Sequence, residues 1–106
     1  MKKERLERTF CWKITAELKG FKYRVMQMEK EKIFGLAYQI DSMVRIYEAL
    51  MEMSRELGEE QLQSCMHLPG LLDFLYDRWL QAPEAQGKDL EQFIHEFMSA
   101  GNLTAA

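Results

Sequence analysis

The segment from residue 30 to 57 constrains this chain more than any other. Ile33, Leu36, Ile40, Met43, Tyr47, Leu50, Ser54 and Leu57 alternate steps of three and four. That spacing puts side chains on one face of an α-helix. Ala37, Val44 and Met51 widen the stripe on one side, and Ile46 and Met53 widen it on the other. The apolar arc then exceeds half of the circumference. A helix that apolar is central, covered by neighbours on two sides. Its polar side carries an Asp41–Arg45 pair at i,i+4, worth a few tenths of a kcal/mol. Gly58 falls where a left-handed C-terminal cap is wanted.

The other segments supply the neighbours. In residues 1–28, Leu6, Phe10, Ile14, Leu18, Phe21 and Val25 fill one stripe. The register survives Gly20, so one long first helix, bent there, is expected, with a break as the alternative. Residues 59–67 read as a short helix opened by acidic residues, with Leu62, Cys65 and Met66 inward. Residues 69–80, "PGLLDFLYDRWL", read as another, with Pro69 in its first turn and Leu71, Leu72, Leu75, Tyr76 and Trp79 on the docking face. "APEAQG" is a connecting loop. Residues 88–100 form a last helix with Leu90, Phe93, Ile94, Phe97 and Met98 inward, Gly101 as its cap and 101–106 as a frayed tail. No strand pattern or internal repeat appears. The expected fold is all-α, a single domain over 1–106 built as a compact bundle of about four to five helices. Two long N-terminal helices precede shorter ones.

Charge is distributed unevenly. Residues 1–32 hold ten Lys/Arg against five Glu, a net +5, whereas residues 33–106 hold four against twelve acidic residues, a net −8. A basic end on an acidic body attracts an acidic partner or folds against its own body. The two cysteines, Cys11 and Cys65, match no disulfide framework, and no secretory signal or membrane-spanning run is present. The expectation is a cytoplasmic protein without membrane association.

Motifs for chemistry are weak. Cys65-x-His67 offers two potential metal ligands, but Cys11 and His95 complete no paired spacing. "IHEFMS" opens like a helical zinc-protease motif but has Ser99 where the second histidine belongs. Asp73 and Asp77 share a helical face and in principle do acid–base work. No His, Lys or third carboxylate accompanies them, and a solvated outer face explains them more simply. No cofactor, metal or catalytic residue is expected, and the chain reads as a non-enzyme.

Surface chemistry is more informative. Arg8, Trp12, Lys19 and Tyr23 fall opposite the apolar stripe of the first helix. Basic residues interleaved with aromatics anchor protein partners or stack on bases and neutralise phosphates. The acidic body disfavours the second use. Phe34 and Tyr38 repeat the theme on the polar side of the central helix, beside Asp41 and Arg45, and a homodimer seam accounts for them most simply. The eight methionines read as core filling, with Met53 the best exception as a binding residue. Expected partner contacts are therefore Arg8, Trp12, Lys19, Tyr23, Phe34, Tyr38 and Arg45, with Asp73 and Asp77 secondary.

Two stretches, "KEKIFGLAYQIDSMVRIYEALMEMS" (30–54) and "LPGLLDFLYDRWL" (68–80), carry a resemblance. Ala37-Tyr38 with Asp41, Tyr47-Glu48, and the Pro69-to-Leu80 run of leucines, Tyr76 and Trp79 resemble short helical proteins of gut-dwelling Firmicutes, grouped as a domain of unknown function. Such proteins are often carried near mobile genetic elements. The resemblance spans roughly residues 17–80. It implies a helical fold and a mobile-element or phage context, and brings no catalytic residues with it. Together with the surface chemistry it leads to an expected function. The chain is expected to be a protein-binding inhibitor or regulator of a host or defence complex, an anti-CRISPR-like inhibitor being one concrete version. A nucleic-acid-binding accessory factor using the basic first helix is the alternative.

Overall fold

A computed structural model of the chain describes residues 2–82 and 89–100. Six α-helices lie among the described residues, and no strand: α1 (Lys2–Met26), α2 (Lys30–Gly35), α3 (Ala37–Met53), α4 (Glu59–Met66), α5 (Leu71–Gln81) and α6 (Leu90–Ser99). The expected all-α bundle is what forms. At 1.5 Å per residue, α1 runs most of the way along the 46 Å long axis.

α1 is continuous through Gly20, and Phe10, Ile14, Leu18, Phe21 and Val25 are all buried on one face. It ends by tightening, with the Met28 N–H donating to the Val25 carbonyl at 3.0 Å. The central helix is not continuous. Leu36, at φ −101° and ψ 9°, leaves the helical region and separates α2 from α3. Gly35 has little intrinsic preference for helix, and Leu36 gains packing against the core, sharing a groove with Phe21 and Val25. The interruption is narrow, because the Leu36 N–H donates to the Ile33 carbonyl and its own carbonyl accepts from the Ile40 N–H at 2.8 Å.

α3 also stops sooner than its apolar pattern predicts. Residues 54–57 turn: the Ser54 hydroxyl donates to the Met51 carbonyl at 2.9 Å and the Glu56 N–H to the Met53 carbonyl at 2.9 Å, while Leu57 stays buried. Gly58 is not a left-handed cap. It is extended (φ −74°, ψ 165°) and serves as the N-cap of α4, where its N–H donates to Gln61 Oε1 at 3.0 Å. Pro69 lies in a turn before α5, whose N-cap is Gly70, rather than in the first helical turn. Asp89 caps α6, its Oδ1 accepting from the Gln92 N–H at 2.7 Å. The predicted loop 82–87, the expected start of the last helix at 88 and the tail 101–106 with its Gly101 cap lie outside the described residues, Ala82 apart.

α3 is central. It packs against α1, α5 and α6, while α1 in turn packs against α4 and α5. Met43, Ile46, Ala49, Leu50 and Met53 are all buried. The side marked by Ile46 and Met53 is therefore core, and Met53, 2% exposed, is no binding residue. The other flank, with Ala37 and Met51, remains exposed.

Polar contacts fix how the helices meet. The Thr15 hydroxyl donates to the Cys11 carbonyl at 2.8 Å, which commits its one proton. Tyr47 of α3 therefore donates to Thr15 Oγ1 of α1, at 3.0 Å. Gln61 Nε2 donates to the Met98 carbonyl, tying α4 to the end of α6. Glu17 is the most consequential. It pairs with Lys13 one turn away and accepts from the Leu72 N–H of α5 at 2.8 Å through Oε1. A carboxylate from α1 thus caps the second residue of α5, satisfying an orphan amide and favouring the positive helix end.

Glu17→Ala removes that acceptor while Leu72 stays buried. The expected loss is about 1–3 kcal/mol, read as a lower urea midpoint with an unchanged slope.

Candidate partner-binding surfaces

The outer face of α1 is laid out as its spacing predicts. Arg8, Trp12, Lys19 and Tyr23 are all exposed, Trp12 at 78% and Tyr23 at 67%. Their shared face follows from helical spacing: with the apolar stripe turned inward, residues at 8, 12, 19 and 23 have to turn outward. Met26 extends the same stripe and is 78% exposed. Trp12 and Arg8 border an open groove of about 730 Å³ between the start of α1 and the end of α3, lined also by Glu4, Glu7, Cys11, Met51 and Arg55. Lys3 Nζ donates to the Arg55 carbonyl at 3.3 Å across the same end.

A second exposed face lies on α2 and the start of α3. Phe34 is 81% exposed. It borders an apolar groove with Ile33, Ala37, Ile40, Asp41 and Val44, residues at helical spacing on both sides of the Leu36 interruption.

Tyr38 and Arg45, expected as partner contacts, also have partners within the chain, Tyr38 while staying 56% exposed. The Tyr38 hydroxyl accepts from Trp79 Nε1 at 2.6 Å, and its ring lies 6.4 Å from that of Tyr76. Trp79 meets Phe93 edge-on at 5.4 Å, and Phe97 meets both Phe93 and Phe74. Arg78 stands 5.2 Å over the Phe74 ring. This aromatic array locks α5 against α6 and leaves Tyr38 at its edge. Arg45 makes a bidentate pair with Glu91 of α6, Nε to Oε1 at 2.9 Å and Nη2 to Oε2 at 2.8 Å. Its predicted partner Asp41 is further off, at 3.7 Å. Hydrogen bonding to Arg45 holds the Glu91 carboxyl below the usual range. Arg45 is thus an α3–α6 clamp.

Asp73 and Asp77 are exposed on the outer side of α5. Asp73 stands in the first turn, where an acidic residue suits the helix dipole. With Arg24, Gln39 and Tyr76 they line a groove that also reaches Phe21 and Val25. The Tyr76 hydroxyl is pushed up by burial and by its neighbours Tyr38 and Asp77. Cys65 is fully buried and its thiol is pushed up to about 12, chiefly by desolvation, whereas His67 is exposed. Among the described residues no three His, Cys, Asp or Glu gather as a metal site. No helix of these residues is long and apolar enough to cross a membrane.

No family model, curated protein or solved structure matches the chain.

Three residues escaped the reading of the sequence. Glu17 falls within the apolar arc of α1, and an acid on a buried face has to find a donor; that was the available signal. Glu91 carried none, because its link to Arg45 depends on how α6 lies on α3. Met26 was legible from its spacing with Arg8 and Lys19.

Two outcomes follow from these environments. The Arg45–Glu91 contribution is complete above about pH 4.3, the ordinary carboxylate value, and is lost as pH falls through the depressed folded value. Glu91→Gln should flatten stability against pH on that acid limb. A double-mutant cycle with Arg45→Met should give a coupling of about 0.5–1 kcal/mol for this half-exposed pair. In the folded protein iodoacetamide should label Cys11, which borders the Trp12 groove, and spare Cys65 until unfolding, as read by intact mass.

Proposed function

We propose that the protein is a non-enzymatic interaction module that binds another protein through the outer face of α1. One observation carries this reading: Trp12 and Tyr23 stand largely exposed among Arg8 and Lys19, on a helix whose opposite face is fully occupied by the core. Large aromatics and arginine are the side chains that most often anchor interfaces. The surrounding cations favour a partner whose contact surface is acidic. The resemblance to proteins carried near mobile elements adds a setting, in which the module inhibits or regulates a host or defence complex. An anti-CRISPR-like inhibitor is the concrete version: the acidic body would cover a basic nucleic-acid channel while aromatic side chains supply the anchor.

The same face supports a second reading, a nucleic-acid-binding accessory factor, because exposed aromatics among cations also stack on bases. The two separate by experiment. Immobilised wild-type protein should retain a stoichiometric protein partner from host lysate, with nuclease treatment making no difference, and a Trp12→Ala/Tyr23→Ala variant should lose it. Equal capture by the variant, or no stoichiometric partner, defeats the first reading. A gel shift that weakens steeply with salt supports the second, and no shift at low salt ends it.

A further inference from the structure

The α2–α3 face raises a question that α1 does not answer. Phe34 projects into solvent directly beside an apolar groove formed by Ile33, Ala37, Ile40 and Val44. A protruding ring and a groove on one face of one helix pair are the two halves of a self-complementary contact. We infer that this face binds a second copy of the chain, with α2–α3 of the two copies crossing antiparallel about a two-fold axis level with position 39, between Ala37 and Asp41.

Charge complementarity selects this occupant. In an antiparallel pair centred at position 39, residues equally far before and after it oppose one another. Phe34 then meets Val44 of the other copy, and Ala37, an exposed small residue, lies at the crossing where helix backbones approach to about 8–10 Å. Lys30 meets Glu48 of the other copy, and both are exposed. The two-fold repeats each contact, so two Phe34 rings fill two grooves and two Lys–Glu pairs flank them. Asp41, the one carboxylate lining the groove, already faces Arg45 at 3.7 Å on its own helix. The outer face of α1 does not pair in this way. An antiparallel pairing that sets its Arg8 against Lys19 of the second copy juxtaposes like charges, which repel. The two exposed faces thus have different uses, and the second-copy contact stands independently of what α1 binds.

Sedimentation velocity over a concentration series of the full chain tests this. The wild-type chain should approach twice its 12.6 kDa mass, with no larger species. Phe34→Asp alters an exposed side chain and should keep the far-ultraviolet circular dichroism while weakening the dimer roughly 30-fold or more, as a central aromatic anchor does. Lys30→Glu and Glu48→Lys should each weaken it about 3-fold. The combined Lys30→Glu/Glu48→Lys chain should recover to within about 2-fold of wild type, since the swap restores both pairs. A wild-type chain that stays monomeric at its solubility limit overturns the inference. So does a dimer indifferent to Phe34→Asp, open-ended growth, or a double swap no better than the single changes. Trp12→Ala leaves the dimer unchanged if the α1 face is separate, and dimer loss in that variant also overturns it.

Discussion

The requirement that α3 be covered on more than one side organises the molecule. From Met53 and Ile46 through Leu50, Met43 and Tyr47 to Ile40 and Val44, the apolar side chains of α3 that meet the core occupy too wide an arc for one neighbour to shield. Water is removed from them only when α1, α5 and α6 all lie against the same helix. Burial of this kind is the main favourable term in folding. It has no directional preference of its own, so the angles and registers of the surrounding helices are set by a few polar contacts. Glu17 places the start of α5 on α1, Tyr47 and Thr15 align α1 with α3, and Arg45 and Glu91 fasten α6.

What remains exposed follows from that arrangement. α1 uses one face for the core and turns a basic, aromatic face to solvent. α3 lies against α1, α5 and α6 and, among the described residues, stays exposed along the flank that begins at Ala37 and continues the exposed Phe34 of α2. These surfaces differ in kind. The first is mainly basic, with Glu4 and Glu7 at the groove beside Trp12, and fits a complementary partner. The second is apolar with opposite charges at its two ends, which is what an antiparallel copy of itself matches. Asp73 and Asp77, which resembled a small acidic site in the sequence, lie on the outer side of α5, and Asp73 complements the dipole at the start of that helix.

The helical periods, the inward stripe of α1 and the five inward residues of α6 were legible because apolar spacing and burial are two expressions of one geometry. The interruption at Leu36 was not, since the three-and-four spacing runs through it undisturbed. Only the position of Phe21 and Val25 makes a tilted Leu36 worthwhile. Gly58 was assigned to the end of one helix and proved to start the next, because an extended glycine and a left-handed one look alike in sequence. Among the expected contacts, Arg8, Trp12, Lys19, Tyr23, Phe34, Tyr38, Asp73 and Asp77 stayed exposed. Tyr38 and Arg45 found partners on α5 and α6 that no local pattern announces.

By itself the sequence determined an all-α chain with a broad apolar central segment, and a first helix with one apolar face and one basic, aromatic face. Those properties depend on spacing along single helices, which 3.6 residues per turn fixes locally. The tertiary structure alone decided which flank of α3 is core, that Glu17 caps a helix 55 residues away, that Arg45 is a clamp, and that Phe34 stands beside an open groove. Each of these depends on which helices become neighbours, and that is settled by packing between segments far apart in the chain.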